Sequence, residues 1–187
     1  MRGADKLLEE VAGRPVLATL AARALEAGAP VLVTIAPGQE ARAQALAGLP
    51  VELREVPEAA EGMAASLRVA AAEVEAEAAA HAGLMVLPAD MPEIAGDDIA
   101  RMIAAFRAAA EPRPILRATA EDGRWGHPVI LPRRLMSELA RLQGDRGGRD
   151  ILKAHAAAVQ PCRLPGARAL TDLDTPEDWA AWRARLR

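Results

Sequence analysis

The fold is constrained most by a regular alternation of short apolar runs with longer, alanine-rich segments of helical periodicity. Residues 31–35 and 84–87 are short runs of mostly branched aliphatic side chains, which are typical of buried strands. Between Pro15 and Gly28, apolar residues recur at helical spacing, and this proline and glycine stand where helices usually begin and end. Because strands alternate with helices, we expect an α/β fold in three layers, with a mainly parallel sheet between helices.

The same alternation continues to the end of the chain. Further strands are predicted at residues 51–56, 114–119, 125–131 and 159–164, and a turn at residues 121–123 joins the second and third of these. Further helices are predicted at residues 39–47, 62–80, from 97, around 135–142, at 148–157 and from 176. The 187 residues suffice for one core and no change in composition marks a second, so residues 1–187 are expected to form a single domain.

Charge and hydropathy exclude several classes of partner. The formal net charge is −3 with both signs well mixed, so the chain lacks the basic surface that nucleic-acid binding usually needs. No apolar run approaches the roughly 20 residues that span a membrane. The single cysteine, Cys162, cannot form an internal disulfide. We therefore expect a cytoplasmic protein that binds neither nucleic acid nor a membrane.

Asp90 is the first candidate for metal binding. It follows the apolar run 84–87 and lies between Pro88 and Pro92, which stiffen the turn. A carboxylate fixed at a strand end can hold Mg²⁺, which prefers one or two carboxylates together with phosphate oxygens and water. The alternative is that Asp90 only caps the following turn, as aspartate often does.

A second acidic segment precedes the last predicted helix. Alternation along extended backbone would point Asp172 and Asp174 in the same direction, and if they face Asp90 the carboxylates can chelate one metal ion. Capping of the helix by Asp174 or Thr175 is a sufficient structural explanation of the same residues. Ligands of parallel α/β sheets bind beyond the carboxyl ends of the strands, so the loops at both acidic segments are the first places to look for a site.

Five motifs follow one another in the order found in one enzyme family. They are EGMAASLR at residues 61–68, LPADMP at 87–92, GHP at 126–128, LQGDRGGR at 142–149 and DLDTPED at 172–178. Each motif is weak alone, but the five together cover nearly the whole chain. The chain thereby resembles the MobA/MocA-like nucleotidyltransferases of molybdenum-cofactor synthesis. The resemblance implies a Rossmann-like α/β/α fold of the nucleotide-diphospho-sugar transferase type.

The resemblance also implies roles for residues that match the motifs. Asp90 would be the main Mg²⁺ ligand and Asp174 the second, with Asp172 as the competitor for that second position. Lys6 matches the family lysine that contacts the triphosphate, and a point charge with three donors suits that role. The residues implied in nucleotide binding are Gly3, Lys6, Gly62, Met63 and Ser66. The residues implied on the acceptor side are Gly126, His127, Asp145 and Arg149.

Three residues in or beside these motifs have structural explanations that compete with a functional one. His127 precedes Pro128 in a predicted strand, where a histidine often just packs or forms a hydrogen bond. Trp125 is predicted to be a partly buried core residue rather than a stacking surface, and Arg68 to be a solvated helix residue.

The first residues match the family pattern only in part. Residues 1–8 fit the end of the family's glycine-rich loop, whereas the first strand and the glycines that cradle phosphates have no counterpart in the sequence. We expect a fold that lacks its first strand, through a misassigned start or a truncation, with reduced stability and activity. Adding about 15–20 upstream residues is expected to raise the melting temperature, because a central strand buries much apolar surface.

The reaction implied by the resemblance is nucleotidyl transfer with Mg²⁺ as cofactor. CMP, or alternatively GMP, passes from CTP or GTP to a phosphate-bearing acceptor of the molybdopterin type, and pyrophosphate is released. A molybdoenzyme or its chaperone is the candidate protein partner. One alternative is a sugar or alditol phosphate as acceptor. Another is an inactive protein that binds the nucleotide or cofactor and delivers it to a partner enzyme.

Overall fold

A computed structural model describes residues 5–77, 80–144 and 148–185 of the chain. Gly3 and Asp145, which the sequence assigns to nucleotide and acceptor binding, lie outside these described residues. Within them, no helix is both long and apolar enough to cross a membrane.

Strands and helices alternate along the chain as the sequence predicts. The strands are β1 (Glu10–Val11), β2 (Arg14–Pro15), β3 (Leu32–Ile35), β4 (Glu52–Glu55), β5 (Gly83–Val86), β6 (Ile115–Thr119), β7 (Trp125–Pro132) and β8 (Val159–Arg163). The helices are α1 (Val16–Glu26), α2 (Glu40–Ala45), α3 (Met63–Ala76), α4 (Gly96–Ala108), α5 (Met136–Leu139), α6 (Arg149–Ala154) and α7 (Pro176–Arg185).

The strands form one larger sheet and two small ones. The larger sheet has the order β5-β7-β6-β8, in which β7 runs antiparallel to both of its neighbours and β6 runs parallel to β8. Three of its four strands therefore share one direction. Strands β3 and β4 pair in parallel, and β1 and β2 form a short antiparallel pair. Among the described residues, β3 pairs only with β4 and β5 only with β7, so each of these two strands has one unpaired edge.

Helices cover both faces of the larger sheet. Leu116 of β6 and Ile130 of β7 belong to one buried cluster, which they form with side chains of α1, α4 and α7. Ile115 and Val129 point to the opposite face, where they form a second cluster with side chains of α3, α5 and α6. Because neighbouring strand residues point to opposite faces, β6 and β7 supply both clusters. The expected α/β fold with a sheet between helical layers is confirmed.

Four helices are shorter than the sequence predicts. The helix expected at residues 39–47 spans Glu40–Ala45, and the one expected around residues 135–142 spans only Met136–Leu139. The helix expected at residues 62–80 ends at Ala76, and the one expected at residues 148–157 spans only Arg149–Ala154. Val74 is the last buried side chain of α3, and residues 75–77 are exposed. Since tertiary packing supplies most of a helix's stability, helical propensity alone does not extend α3 beyond its packed face.

Candidate active site

Three charged side chains from distant parts of the chain meet at one point. Lys6 Nζ lies 2.6 Å from Asp90 Oδ2 and 2.5 Å from Asp174 Oδ1. The side chain of Asp90 is 16% exposed, whereas that of Asp174 is 65% exposed. The two acidic segments singled out in the sequence therefore face the same cation.

The turn that carries Asp90 is held firmly between β5 and α4. The backbone oxygen of Asp90 accepts a hydrogen bond from Leu173 N at 3.0 Å, which joins this turn to the second acidic segment. Met91 and Ile94 are buried in the core beyond it. Arg23 of α1 donates to the backbone oxygens of residues 92 and 94 at 2.7 and 2.6 Å. The carboxylate is thus fixed by contacts to its own loop, in addition to the ion pair.

The start of α7 explains why the carboxylate of Asp174 is available. Thr175 and Asp178 cap the helix reciprocally: Thr175 N donates to Asp178 Oδ2 at 2.9 Å, and Asp178 N donates to Thr175 Oγ1 at 3.1 Å. Of the two caps that the sequence allows, the structure uses Thr175. Leu173 is buried and Asp172 is exposed, so the segment presents its acidic residues outward. Asp174 is left to pair with Lys6.

Lys6 opens a short 3₁₀ turn, Lys6–Leu8, that is anchored at its start. Asp5 accepts a hydrogen bond from Leu7 N at 3.0 Å and pairs with Arg42 of α2 at 2.6 Å. Burial alone would lower the pKa of Lys6, but hydrogen bonds to the two carboxylates outweigh it and the pKa is raised. The ammonium is therefore charged at neutral pH.

The two carboxylates suit a hard divalent cation. Lys6 already places a positive charge within hydrogen-bond distance of one oxygen from each. Within the described ranges, no group of three or more histidine, cysteine or acidic side chains could hold a metal ion. An ion bound here would take two protein ligands and leave its other positions to phosphate oxygens and water, the arrangement that Mg²⁺ favours.

The predicted nucleotide-binding residues lie at the beginning of α3. Gly62 has φ +92° and directly precedes the first residue of α3, whose N-terminus is not capped by any side chain. Met63 is 53% exposed, which is unusual for a large apolar side chain, and Ser66 is half-buried one turn later. No hydrogen bond or ion pair between described residues joins this group to Lys6, Asp90 or Asp174.

Arg68 connects α3 to the segment that precedes α6. It donates to the backbone oxygen of Leu142 at 3.0 Å and pairs with Glu61 at 2.7 Å. These three residues and Gly144 help to line a cavity of about 430 Å³ beside the start of α3. Arg68 is thus a structural link with two partners, and the expectation of a solvated helix residue is wrong.

Gly126 and His127 lie at the beginning of β7, on the acceptor side of the predicted site. A Cβ atom on Gly126 would lie 1.8 Å from the backbone oxygen of Ala169, so only glycine allows this approach. His127 has a buried Nδ1 atom without a hydrogen-bond partner. Burial, and then the charge of Arg117, lowers the pKa of His127, although Asp90 and Asp172 oppose the shift. A neutral imidazole therefore lies near the carboxylates.

Arg117 contacts this group and is not among the residues predicted from the sequence. It lies in β6 between two buried positions, and its Nε donates to the backbone oxygen of Gly126 at 3.0 Å. The signal was present, because a charged residue inside an otherwise buried strand usually has a specific partner or role. Trp125, expected in the core, is instead 44% exposed because it begins β7 at the edge of the packed layers. Arg149, the first residue of α6, is exposed.

A comparison with protein families matches the chain to the MobA-like NTP transferase domain over residues 1–159. The search among curated proteins gave no match. The family resemblance read from the five motifs is therefore confirmed by the family model.

Several solved structures resemble the chain over nearly its whole length. A crystal structure of Rv0371c from Mycobacterium tuberculosis H37Rv has 30% identity and a TM-score of 0.80, covering 96% of this chain and 88% of that chain. A manganese complex of Rv0371c from the same organism has 28% identity and a TM-score of 0.77, covering 94% and 89%. The CTP complex of CMP:2-keto-3-deoxy-manno-octonic acid synthetase has 15% identity and a TM-score of 0.72, covering 97% and 91%, which shows the shared fold.

Proposed function

Because this chain belongs to the MobA-like NTP transferase domain family, we propose that it transfers CMP from CTP to a molybdopterin-type acceptor and releases pyrophosphate. The observation that carries the proposal is the meeting of Asp90 and Asp174 at one cation position. Two carboxylates from segments far apart in the chain are the minimal protein ligand set for a phosphate-bound divalent ion.

Mg²⁺ is the proposed cofactor, held by Asp90 and Asp174, with Asp172 as the alternative second ligand. When bound, the ion would neutralise phosphate charge and orient the triphosphate. The manganese found in one structural relative is compatible with such a ligand set. Asp90 is the better-fixed ligand of the two, since its side chain is 16% exposed and its turn accepts hydrogen bonds from Leu173 and Arg23.

The remaining groups of the chain bind and orient the reactants. Lys6, once separated from the carboxylates, has three donors for the phosphates on the leaving side. Gly62, Met63 and Ser66 offer uncapped backbone and a half-exposed apolar surface to the base and ribose of the nucleotide. The family resemblance assigns Gly3 to nucleotide binding as well.

By the family resemblance, the acceptor's attacking phosphate would be bound by Gly126, His127, Asp145 and Arg149. An oxygen of this phosphate forms a bond to the α-phosphorus of CTP, while the bond to the bridging oxygen of the β-phosphate breaks and pyrophosphate leaves with that electron pair. Positioning and charge stabilisation supply most of the rate in such reactions. A molybdoenzyme or its chaperone would receive the product.

The experiment measures pyrophosphate release and nucleotide binding for a panel of reactants. Purified protein is mixed with Mg²⁺, CTP or GTP, and molybdopterin, a sugar phosphate or an alditol phosphate. We expect release only with CTP and molybdopterin. Release with GTP would reassign the base, and release with a sugar or alditol phosphate would reassign the acceptor. Tight CTP binding without release would favour the inactive delivery protein.

Two variants separate a specific role of Asp90 from a general loss of charge. Asp90→Asn should abolish Mg²⁺-dependent CTP binding and pyrophosphate release while leaving the melting temperature close to that of the wild type. Asp97→Asn removes an exposed carboxylate from the first turn of the neighbouring α4 and serves as the matched control. Unchanged Mg²⁺ dependence in Asp90→Asn would remove Asp90 from the proposed role.

A further inference from the structure

Arg117 of β6 and Arg149 at the start of α6 have no carboxylate partner among the described residues. Arg117 Nε donates to the backbone oxygen of Gly126, and its guanidinium carbon lies 5.7 Å from the centroid of the Trp125 ring. Both contacts fix the plane of the guanidinium, and neither neutralises its charge. Its other two nitrogens have no hydrogen bond to the described part of the protein. Arg117 is thus held in place, while its two other guanidinium nitrogens remain able to donate hydrogen bonds to a ligand.

Arg149 supplies the second positive charge. It begins α6, whose Ile151 packs with Ile115 and Val129 on the face of the sheet that also carries Arg117. Burial, and then the charge of Arg149, lowers the pKa of Arg117, in keeping with this placement. Bringing two cations together in a partly buried place costs free energy, and a bound anion removes that cost. Arginine also matches the oxygens of a phosphate with two parallel hydrogen bonds.

The pair lies on the same face of the sheet as His127. Val129 of β7 and Ile115 of β6 pack against Ile151 of α6 on this face. Alternation along the strands places Arg117 and His127 on that face too. In the strand order β5-β7-β6, Asp90 follows the first strand, His127 lies on the second and Arg117 on the third. Two strand spacings separate β5 from β6 by about 10 Å.

We propose that Arg117 and Arg149 form the subsite for the acceptor's phosphate, with the exposed ring of Trp125 as an apolar wall beside it. The ligand class is a phosphate monoester whose ester group includes an apolar or planar part. The subsite holds the attacking phosphate across His127 from the carboxylates, so the nucleotide's phosphates lie between the two. This inference rests on the proposed transfer to a phosphate-bearing acceptor and adds Arg117 and Trp125 to its binding residues.

The test titrates the full chain with phenyl phosphate in the presence of EDTA, so that no metal ion contributes. Isothermal titration calorimetry measures the affinity of the wild type and of Arg117→Met, Arg149→Met and Arg124→Met. Arg124 lies in the turn between β6 and β7 and pairs with Asp122, which makes it the matched control. Binding of CTP with Mg²⁺ is measured separately for each variant.

We expect saturable binding of phenyl phosphate to the wild type and to Arg124→Met. Arg117→Met and Arg149→Met should each weaken it by roughly 10- to 100-fold, the value of one charge-assisted hydrogen-bond group, with little change in CTP binding. If Arg117→Met does not fold, Arg149→Met on the exposed start of α6 decides the question. Wild-type affinity in the arginine variants, no saturable binding to the wild type, or equal losses for CTP would each overturn the subsite.

The outcomes are separable from those of the proposed function. If phenyl phosphate binds equally well to all variants while Asp90→Asn still abolishes Mg²⁺-dependent CTP binding, the arginine subsite fails and the transferase proposal stands. If Asp90→Asn leaves CTP binding intact while the arginine variants lose phenyl phosphate, the anion site is real and the proposed metal role fails.

Discussion

The carboxylate side of the site (Lys6, Asp90 and Asp174) and its strand side (Arg117, Trp125, Gly126, His127 and Arg149) are built in different ways. On the carboxylate side, three segments are joined by ion pairs at 2.6 and 2.5 Å, and the side chains are partly exposed. On the strand side, Gly126 and His127 belong to a strand packed on both faces, and Gly126 contacts the backbone of Ala169. Charge therefore dominates one side and close packing the other.

This difference determines what each side tolerates. Substitutions on the carboxylate side change the affinity for cations and leave room for the new side chain. Substitutions that add volume on the strand side displace backbone, because protein interiors are close-packed.

The largest effect is expected for Gly126→Ala. The added methyl group would lie 1.8 Å from Ala169 O, which forces two backbone segments apart. We expect a loss of about 3 kcal/mol or more in the free energy of unfolding, at the upper end for overpacked sites. Chemical denaturation measures it. Gly96→Ala, whose Cβ would meet its nearest neighbour at 3.6 Å, is the control. Equal stability of the two variants would contradict the close packing of the strand side.

The next largest effect is expected on Mn²⁺ affinity, and it should differ between the two carboxylates. Asp90→Asn should weaken Mn²⁺ binding in the presence of CTP by about 100-fold, because even outer partners of metal ligands are worth 10- to 100-fold. Asp174→Asn should weaken Mn²⁺ binding only about tenfold, since this side chain is 65% exposed and water can more easily take its place on the ion. Electron paramagnetic resonance of free Mn²⁺ measures both affinities. A larger loss for Asp174→Asn would reverse the ranking of the two ligands.

A smaller effect, of opposite sign, is expected for Lys6→Met without nucleotide. The ammonium pairs with both carboxylates and competes with an added cation. Its removal should tighten Mn²⁺ binding by roughly two- to fivefold, the range for partly exposed ion pairs. The same variant should weaken CTP binding, because it removes donors for the phosphates. Weaker Mn²⁺ binding in nucleotide-free Lys6→Met would contradict the competition.

The smallest effect concerns His127 and pH. Burial and Arg117 lower the pKa of this imidazole below its ordinary value, so the unfolded chain takes up the proton first as the pH falls. The native state therefore loses stability as the pH falls below about 6.5, toward the lower pKa of the folded form. His127→Gln should reduce the loss of melting temperature between pH 7 and pH 5.5. His81→Gln controls for removing an imidazole elsewhere, and an unchanged slope in His127→Gln would contradict the prediction.

Most of the fold follows from local sequence signals. The hairpin of β6 and β7 around the turn at residues 121–123 was predicted because strand-like runs flank a turn sequence. The end of α3 was not, because the Ala- and Glu-rich residues after Val74 favour helix and only the missing tertiary contact stops it.

The site was only partly predictable from sequence. Asp90 and Asp174 were singled out from strand ends and motif matches, and the structure brings them together. The choice of Thr175 as helix cap depends on side-chain geometry that the sequence leaves open. The contact of Gly126 with Ala169 joins residues far apart in sequence, and no local pattern signals it.

A double-mutant cycle tests whether Asp90 and Asp174 bind the same divalent cation. Mn²⁺ affinity in the presence of CTP is measured for the wild type, Asp90→Asn, Asp174→Asn and the double variant. Two ligands of one ion are coupled, so the double variant should lose clearly less affinity than the product of the two single losses. Losses that multiply independently, or single variants that bind Mn²⁺ like the wild type, would contradict the shared site.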